Sequence, residues 1–308
     1  MKIAALFPGQ GSQHVGMGKD FADSPFFNIA NTILGIDLRK ICLEGPEEIL
    51  KKTELTQPAI LTISVILYKK LRHLGINFDL LAGHSLGEYS ALFAAGSITF
   101  HDAISLVHSR GQFMQEAVPC GEGAMAAILG FDKSKLEQIC AYSGCDLANY
   151  NSPEQIVISG KKDSIEKTIE ICKSEGAKKI VILPVSAPFH SKLMAPAAEK
   201  LAYELKNIEI NDAKIPIISN VTADIVTSRG IIHKLLVEQV TSPVNWTDSI
   251  NTMLNFNIDT FVEIGPGKVL TGLVKKIIPR NVKYSIYNVS DQLSLELFLE
   301  SIKTLQCV

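Results

Sequence analysis

The feature that most constrains the fold is a Gly-x-Ser-x-Gly sequence at the junction of a strand and a helix. Residues 78–82 are a short apolar run that predicts a strand, residues 83–87 read Gly-His-Ser-Leu-Gly, and residues 86–95 predict a helix that ends before Gly96. A serine at such a sharp turn is held above a sheet with its hydroxyl exposed, and the glycines leave room where side chains would clash. Ser85 is therefore a candidate nucleophile; the alternative interpretation is an ordinary turn in which Ser85 caps the helix.

Other short apolar runs alternate with helical patterns along most of the chain. Further strands are predicted at residues 2–7, 215–219 and 260–264. Further helices are predicted at residues 58–71, 101–117, 231–240, 246–255 and 269–278. Strands that alternate with helices indicate an α/β fold with a mostly parallel sheet covered on both faces.

The middle of the chain has a different order of elements. Strands are predicted at 124–129, 147–149, 155–159 and 179–185, and helices at 132–142 and 163–175. The order β-α-β-β-α-β is typical of a ferredoxin-like unit. We therefore expect an inserted ferredoxin-like subdomain at residues 121–186 within a core formed by residues 1–120 and 187–308.

Composition excludes several function classes. The chain has 308 residues, 46% of them hydrophobic, with a formal net charge of −2, which argues against an extended nucleic-acid surface. No apolar stretch approaches the ~20 residues of a membrane span. The six cysteines are scattered and form neither a Cys-x-x-Cys pair nor a zinc-binding pattern. We expect a cytoplasmic protein with reduced thiols and no metal, and a monomer, since nothing demands more.

A serine hydroxyl needs a base to take its proton. Of the seven histidines, His190 is the best candidate because it follows the strand predicted at 179–185, where a parallel sheet places catalytic loops. The alternative is a structural, hydrogen-bonded histidine. A hydrolase would usually carry an acid between Ser85 and His190, but no acid stands at an obvious strand end there. This weakens an esterase interpretation and suggests that another group orients the imidazole.

Six segments, in order across nearly the whole chain, resemble the malonyl-CoA:acyl carrier protein transacylases. They are Gly-Gln-Gly-Ser-Gln at 9–13, Gly-His-Ser-Leu-Gly-Glu at 83–88, His-Ser-Arg-Gly at 108–111, Phe-His-Ser at 189–191, Gln239 with Ser-Pro-Val-Asn-Trp at 242–246, and Glu-Ile-Gly-Pro-Gly-Lys at 263–268. The resemblance implies an α/β-hydrolase-like core that carries a ferredoxin-like insertion.

The resemblance also implies catalytic roles. Ser85 resembles the nucleophile that forms a malonyl ester, and His190 its general base. The backbone N–H groups of Gln10 and Leu86 resemble the oxyanion hole, and a main-chain carbonyl near Gln239 resembles the group that orients the histidine.

Substrate-binding roles are implied for four residues. Arg110 resembles the arginine that holds the malonyl carboxylate, a task suited to its planar fork, although an isolated arginine on a helix is usually solvated. Phe189 resembles malonyl-selective members, and Gln239 is expected to bind substrate. Met114 lies one turn from Arg110 and shares its face, and core packing is the alternative for it.

The implied activity is a ping-pong transfer of malonyl from malonyl-CoA to the phosphopantetheine thiol of acyl carrier protein, for fatty-acid biosynthesis. No cofactor is expected, and coenzyme A is a product of the reaction. The alternatives are a serine esterase or thioesterase, a polyketide loading acyltransferase, and a non-catalytic carrier-binding module. Lys275, Lys276 and Arg280 are candidates for contact with an acidic carrier, and a solvated face is the alternative.

Overall fold

The computed structural model describes residues 1–119, 121–185 and 187–306. Within them the strands are β1 Ile3–Phe7, β2 Leu80–Gly83, β3 Gly123–Leu129, β4 Asp146–Ser152, β5 Gln155–Lys161, β6 Lys179–Ile182, β7 Ile217–Ile218, β8 Ile225–Val226, β9 Thr260–Ile264 and β10 Ser285–Val289. The α-helices are α1 Pro25–Leu34, α2 Leu38–Glu44, α3 Glu47–Leu50, α4 Thr53–His73, α5 Gly87–Ala94, α6 Phe100–Glu116, α7 Lys133–Ser143, α8 Lys162–Ser174, α9 Ala195–Leu205, α10 Arg229–Gln239, α11 Trp246–Asn255, α12 Val269–Ile277 and α13 Gln292–Gln306.

The larger sheet has the strand order β10-β9-β1-β2-β7-β8, and its strands are parallel except for the antiparallel pair β7 and β8. Successive residues of β1 point into different cores, because Ala5 and Phe7 belong to one buried cluster and Ala4 and Leu6 to another. Apolar side chains therefore cover both faces of the sheet. The prediction of an α/β fold with a mostly parallel sheet is confirmed.

The second sheet has the order β4-β5-β3-β6, and all its strand pairs are antiparallel. Its elements follow along the chain as β3-α7-β4-β5-α8-β6, with a core of their own around Ile128, Ile158 and Ile165. Residues 120 and 186, which flank this segment, lie outside the described residues. The segment contacts Val244, which lies between α10 and α11: the Val244 N–H donates to Ala148 O at 2.8 Å, and the Val244 carbonyl accepts from Tyr150 N at 2.9 Å.

Helix α4 begins five residues before the predicted start at Pro58. A proline inside a helix leaves the carbonyl four residues earlier without its usual donor. Here that carbonyl belongs to Glu54, and His108 Nδ1 on α6 lies 2.8 Å from it. The early start of α4 places Gln57 against Arg110 of α6.

The prediction for β6 was too long, since the strand ends at Ile182 rather than at Val185. Leu183 and Val185 instead turn inward and line a cavity beside Ser85. Of the cysteines, Cys42, Cys140, Cys145 and Cys172 are buried free thiols. Cys120 and Cys307 lie outside the described residues.

Candidate active site

Ser85 lies at a turn between β2 and α5 that only glycines permit. A Cβ atom on Gly83 would lie 1.8 Å from the carbonyl carbon of Gly87, and a Cβ on Gly87 would lie 2.0 Å from the carbonyl oxygen of Phe7. Ser85 itself has φ 51°, which is unusual for a residue with a side chain. The close approach of β1, β2 and α5 therefore fixes the serine in a strained conformation at the carboxyl end of the sheet.

Ser85 Oγ lies 2.8 Å from His190 Nε2, although the two residues are 105 positions apart. The other ring nitrogen, Nδ1, lies 2.9 Å from the carbonyl oxygen of Gln239 and 3.2 Å from that of Ser242. Carbonyl oxygens only accept hydrogen bonds, so the proton of the neutral ring belongs on Nδ1. Nε2 is then free to accept the proton of the Ser85 hydroxyl.

The imidazole of His190 is buried, with 4% of its surface exposed. Burial, and secondarily the positive charge of Arg110, lowers the pKa of His190 to about 3. The ring is therefore neutral at physiological pH, the state that a general base requires.

Arg110 projects from α6 into the same site and is 1% exposed. Nη1 donates to Gln57 Oε1 at 2.8 Å, and Nη2 donates to Gln239 Oε1 at 3.0 Å and to Ser85 Oγ at 3.2 Å. Burial lowers the pKa of Arg110, but a guanidinium remains protonated in proteins. None of these partners is a carboxylate, so among the described residues the buried positive charge next to Ser85 has no directly bonded counter-ion.

A cavity of about 110 Å³ opens beside Ser85, His190 and Arg110. Its remaining lining residues are Gln10, Gln57, His84, Leu86, Met114, Met125, Asn149, Leu183, Val185 and Phe189. The charged and polar groups of the site thus meet an apolar wall formed partly by the second sheet and by the segment that follows β6. A cavity of this kind suits a small acyl group with an anionic end.

The backbone N–H groups of Gln10 and Leu86 lie at the cavity and have no acceptor among the described residues. Leu86 stands at the N-terminus of α5, where the helix dipole favours negative charge. The backbone of Gln10 comes close to the turn that carries Ser85 because its neighbour Gly9 has no side chain. A Cβ on Gly9 would lie 2.4 Å from the carbonyl oxygen of His84. This pair of N–H groups is available to an oxygen that develops negative charge next to Ser85.

Comparison with known proteins places this chain in a family. Residues 5–289 match the model of the acyl transferase domain. The malonyl CoA-acyl carrier protein transacylase of Bacillus subtilis (strain 168) is 48% identical over 98% of this chain and 98% of its own. The chain belongs to the malonyl CoA-acyl carrier protein transacylase family.

Solved structures of this family have the same fold. An acyl carrier protein S-malonyltransferase from Vibrio cholerae superposes with a TM-score of 0.93 at 44% identity and covers 97% of this chain and 100% of its own. A malonyl-transacylase solved in complex with its type II polyketide synthase acyl-carrier protein gives a TM-score of 0.94 at 42% identity, with 98% and 100% coverage.

The structure brings most of the residues that resemble this transacylase family's site together at the cavity. Met114 and Phe189 both line it, at 2% and 8% exposure. The side chain of Gln239 is not among the residues that line the cavity; it is fully buried and accepts a hydrogen bond from Arg110. His84 also lines the cavity, but its Nε2 bonds to Asn151 Oδ1 at 2.8 Å rather than to Ser85.

Sequence reasoning missed three polar residues of the transacylase site. Gln57 holds Arg110, and Asn220 accepts from Ser85 N at 2.6 Å while it donates to Gly83 O at 2.6 Å. Glu88 accepts from Asn220 N and from Gln239 Nε2. Asn220 had a detectable signal, because it directly follows the strand predicted at 215–219, at the edge where parallel sheets place site residues.

The Gly-Pro-Gly turn at 265–267 lies away from the lining of this cavity. A Cβ on Gly265, which has φ 145°, would lie 2.5 Å from Ser64 Oγ and 2.6 Å from Pro8 Cγ. Glu263 before it accepts from the N–H groups of Leu270 and Thr271 and so caps α12. This transacylase motif therefore has a structural explanation in the packing of the β9–α12 turn.

In the described part of the chain, no helix is long and apolar enough to cross a membrane. Among the same residues, no three His, Cys, Asp or Glu side chains are grouped so that they could hold a metal ion.

Proposed function

We propose that this chain transfers the malonyl group of malonyl-CoA to the phosphopantetheine thiol of acyl carrier protein, and so supplies fatty-acid biosynthesis in the cytoplasm. The observation that carries the proposal is the buried Arg110 beside Ser85, because a cavity whose guanidinium is bonded to no carboxylate of the described residues selects an acyl group that carries its own carboxylate. The full-length relatives named malonyl CoA-acyl carrier protein transacylase support it.

In the first half-reaction, Ser85 Oγ attacks the thioester carbon of malonyl-CoA while His190 Nε2 takes the hydroxyl proton. The main-chain carbonyls of Gln239 and Ser242 hold the imidazolium that forms, in place of an acid. The N–H groups of Gln10 and Leu86 stabilise the oxyanion. Collapse of the tetrahedral intermediate expels coenzyme A, whose thiolate receives the proton from His190.

In the second half-reaction, the carrier's phosphopantetheine thiol attacks the malonyl–Ser85 ester. His190 takes the thiol proton and returns a proton to Ser85 Oγ as the ester bond breaks. Throughout, Arg110 pairs with the malonyl carboxylate, while Met114 and Phe189 bound the space for the acyl chain. The mechanism is therefore ping-pong, uses no cofactor, and has coenzyme A as a product.

The architecture is interpreted as two parts. Residues 1–120 and 187–308 form an α/β-hydrolase-like core, supported by the parallel sheet and by the turn that carries Ser85. Residues 121–186 form a ferredoxin-like subdomain, supported by their βαββαβ order and antiparallel sheet. The acyl cavity lies where the two parts meet.

The test is an assay for malonyl transfer from malonyl-CoA to holo acyl carrier protein, with hydrolysis measured in the same reaction. A transacylase gives malonyl-carrier in excess of free malonate, and apo carrier without the phosphopantetheine gives none. Predominant hydrolysis would favour the thioesterase alternative, and the absence of both products would favour a non-catalytic module.

A further inference from the structure

Glu88 is a buried carboxyl group that the mechanism above does not use. It lies in the first turn of α5, three residues after Ser85, and is 5% exposed. Its Oε2 accepts two hydrogen bonds, from the backbone N–H of Asn220 at 3.1 Å and from Gln239 Nε2 at 2.7 Å. Burying a carboxyl group costs folding free energy unless hydrogen bonds compensate for the lost contact with water.

Both partners of Glu88 hold the main chain of Ser85. Asn220 Oδ1 accepts from Ser85 N at 2.6 Å, and Gln239 Nε2 donates to Ser85 O at 3.0 Å. Because Ser85 has φ 51°, its conformation needs surrounding contacts that over-determine it. One carboxyl oxygen thus holds the main chain of Asn220 and the side-chain amide of Gln239, the two residues whose side chains bond to the main chain of Ser85.

The hydrogen bond from Gln239 Nε2 to Glu88 Oε2 also fixes the orientation of the Gln239 amide. Its two N–H groups are used by Glu88 Oε2 and Ser85 O, so its Oε1 is left to accept from Arg110 Nη2 at 3.0 Å. Without Glu88, one buried N–H of Gln239 keeps only the long contact to Asn220 Oδ1 at 3.5 Å, so the amide is less firmly held against Arg110. Of the two glutamines that hold the guanidinium, only Gln57 then remains, together with the bond from Nη2 to Ser85 Oγ at 3.2 Å.

We propose that Glu88 is a positioning residue for malonyl selectivity: through Gln239 it aims Arg110 at the acyl cavity, and through Asn220 and Gln239 it holds Ser85. The inference rests on the proposed function, and concerns a residue that contacts no substrate. It predicts that Glu88 affects the preference for malonyl over acetyl, which a purely structural residue would leave unchanged.

The experiment measures kcat/KM for malonyl-CoA and acetyl-CoA in the purified full chain, for wild type, Glu88→Ala and Glu88→Gln. Glu88→Ala is expected to lower malonyl transfer by about 10- to 100-fold, and to lower acetyl transfer less, so that the ratio of the two falls. Glu88→Gln is expected to restore most of the ratio, because its carbonyl oxygen can accept from both Asn220 N and Gln239 Nε2. The exposed Glu199→Ala on α9 is the matched control and should not change the ratio.

A double-mutant comparison tests whether Glu88 acts through Gln239. Gln239→Ala removes the amide but keeps the main-chain carbonyl that His190 needs, and Glu88→Ala added to it should lower the malonyl-to-acetyl ratio no further. An unchanged malonyl-to-acetyl ratio in Glu88→Ala, or a further fall of that ratio in the double variant, would overturn the inference. If Glu88→Ala does not fold, Glu88→Asp replaces it, since the shorter acid withdraws its oxygen from Gln239 and should also lower the ratio. Malonyl transfer by wild type is measured alongside. If wild type transfers malonyl, a negative result in the variants contradicts the role of Glu88 and not the proposed function.

Discussion

Ser85 and His190 both adopt left-handed backbone conformations, with φ 51° and 56°. Such conformations are costly for residues with side chains, and they persist where the surrounding structure over-determines them. For Ser85 the surroundings are Asn220 and Gln239, and for His190 they are the carbonyls of Gln239 and Ser242. The helix end at Gln239 therefore stabilises both members of the candidate catalytic pair.

The first prediction concerns His190 as the base. Because its Nε2 lies 2.8 Å from Ser85 Oγ, His190→Ala should lower kcat for malonyl transfer by about 10²- to 10⁴-fold, with the fold unchanged by circular dichroism. His73 and His233 are outside the site, and their alanine variants should remain near wild type. A greater loss in either of those variants than in His190→Ala would mean that the base has been misassigned.

The second prediction concerns Arg110 and separates a malonyl transferase from an esterase. Truncating one partner of a buried charge pair costs roughly 2–5 kcal/mol, which corresponds to about 30- to 4,000-fold in kcat/KM. Arg110→Ala should lose malonyl transfer by at least the smaller factor, while acetyl transfer stays the same or improves. Arg110→Lys should not fully restore malonyl transfer, because an ammonium lacks the two-pronged geometry. Equal losses for both substrates would instead indicate a structural arginine or a coenzyme A contact.

For individual residues, the sequence was most informative where a motif demands one residue type. Ser85 could be predicted because its flanking glycines and its place between strand and helix are visible locally. The partners of Arg110 could not, since Gln57 and Gln239 lie 53 and 129 positions away. Their glutamine side chains carry no periodic or spacing signal, and only the fold brings them to one guanidinium.

At the scale of elements, the third prediction compares two helical glycines. Gly87 on α5 has no room for a side chain, since its Cβ would lie 2.0 Å from Phe7 O, whereas Gly272 on α12 has nothing within 4 Å. Gly272→Ala should raise the free energy of unfolding by up to about 1 kcal/mol, from helix propensity alone. Gly87→Ala has the same propensity gain but should destabilise the protein and lower malonyl transfer. A stabilised, fully active Gly87→Ala would show that β1 and α5 do not approach as closely as described.

The boundaries of helices and strands were predictable to within a few residues where turn residues mark them. The predicted bounds of α11 and β9 match the structure. The start of α4 was misplaced because Pro58 is usually read as a helix start, and the compensating contact from His108 lies on another helix. No helix was predicted over α1, α2, α3, α9 or α13, although Pro25 at the start of α1 and Gly35 after its end are local helix signals.

At the scale of the whole molecule, the two sheets share one cavity. The segment 239–247 links them, since Gln239 and Ser242 hold His190, Val244 pairs with β4, and Asn245 donates its N–H to Asn220 O at 2.9 Å. The segment 239–247 therefore connects the second sheet to His190 and to Asn220. The sequence predicted both sheets but not this connection, which is made by backbone groups that every residue possesses.

The fourth prediction concerns stability against pH, to which two buried groups contribute with opposite sign. Burial raises the pKa of Glu88 to about 7 from its ordinary 4.5, so the folded state binds the proton more tightly and stability falls as pH rises from about 4.5 to 7. Burial and Arg110 lower the pKa of His190 to about 3, so the unfolded state binds the proton more tightly and stability falls as pH drops below about 6.5.

Chemical denaturation of wild type, Glu88→Gln and His190→Gln between pH 4.5 and 8 measures these two contributions. Relative to wild type, Glu88→Gln should gain free energy of unfolding as pH rises through the range, and His190→Gln should gain it as pH falls. Differences that do not depend on pH, or that have the same slope in both variants, would show that these groups titrate as they do in the unfolded chain.

The central claim is that malonyl is held as an ester on Ser85 between the two half-reactions. The most direct measurement is intact-protein mass spectrometry after incubation with malonyl-CoA alone, for wild type and Ser85→Ala. Wild type should gain the mass of one malonyl group, the adduct should map to the peptide that contains Ser85, and holo acyl carrier protein should remove it. Ser85→Ala should gain nothing, whereas an adduct that persists in the alanine variant would place the nucleophile elsewhere and contradict this account of the site.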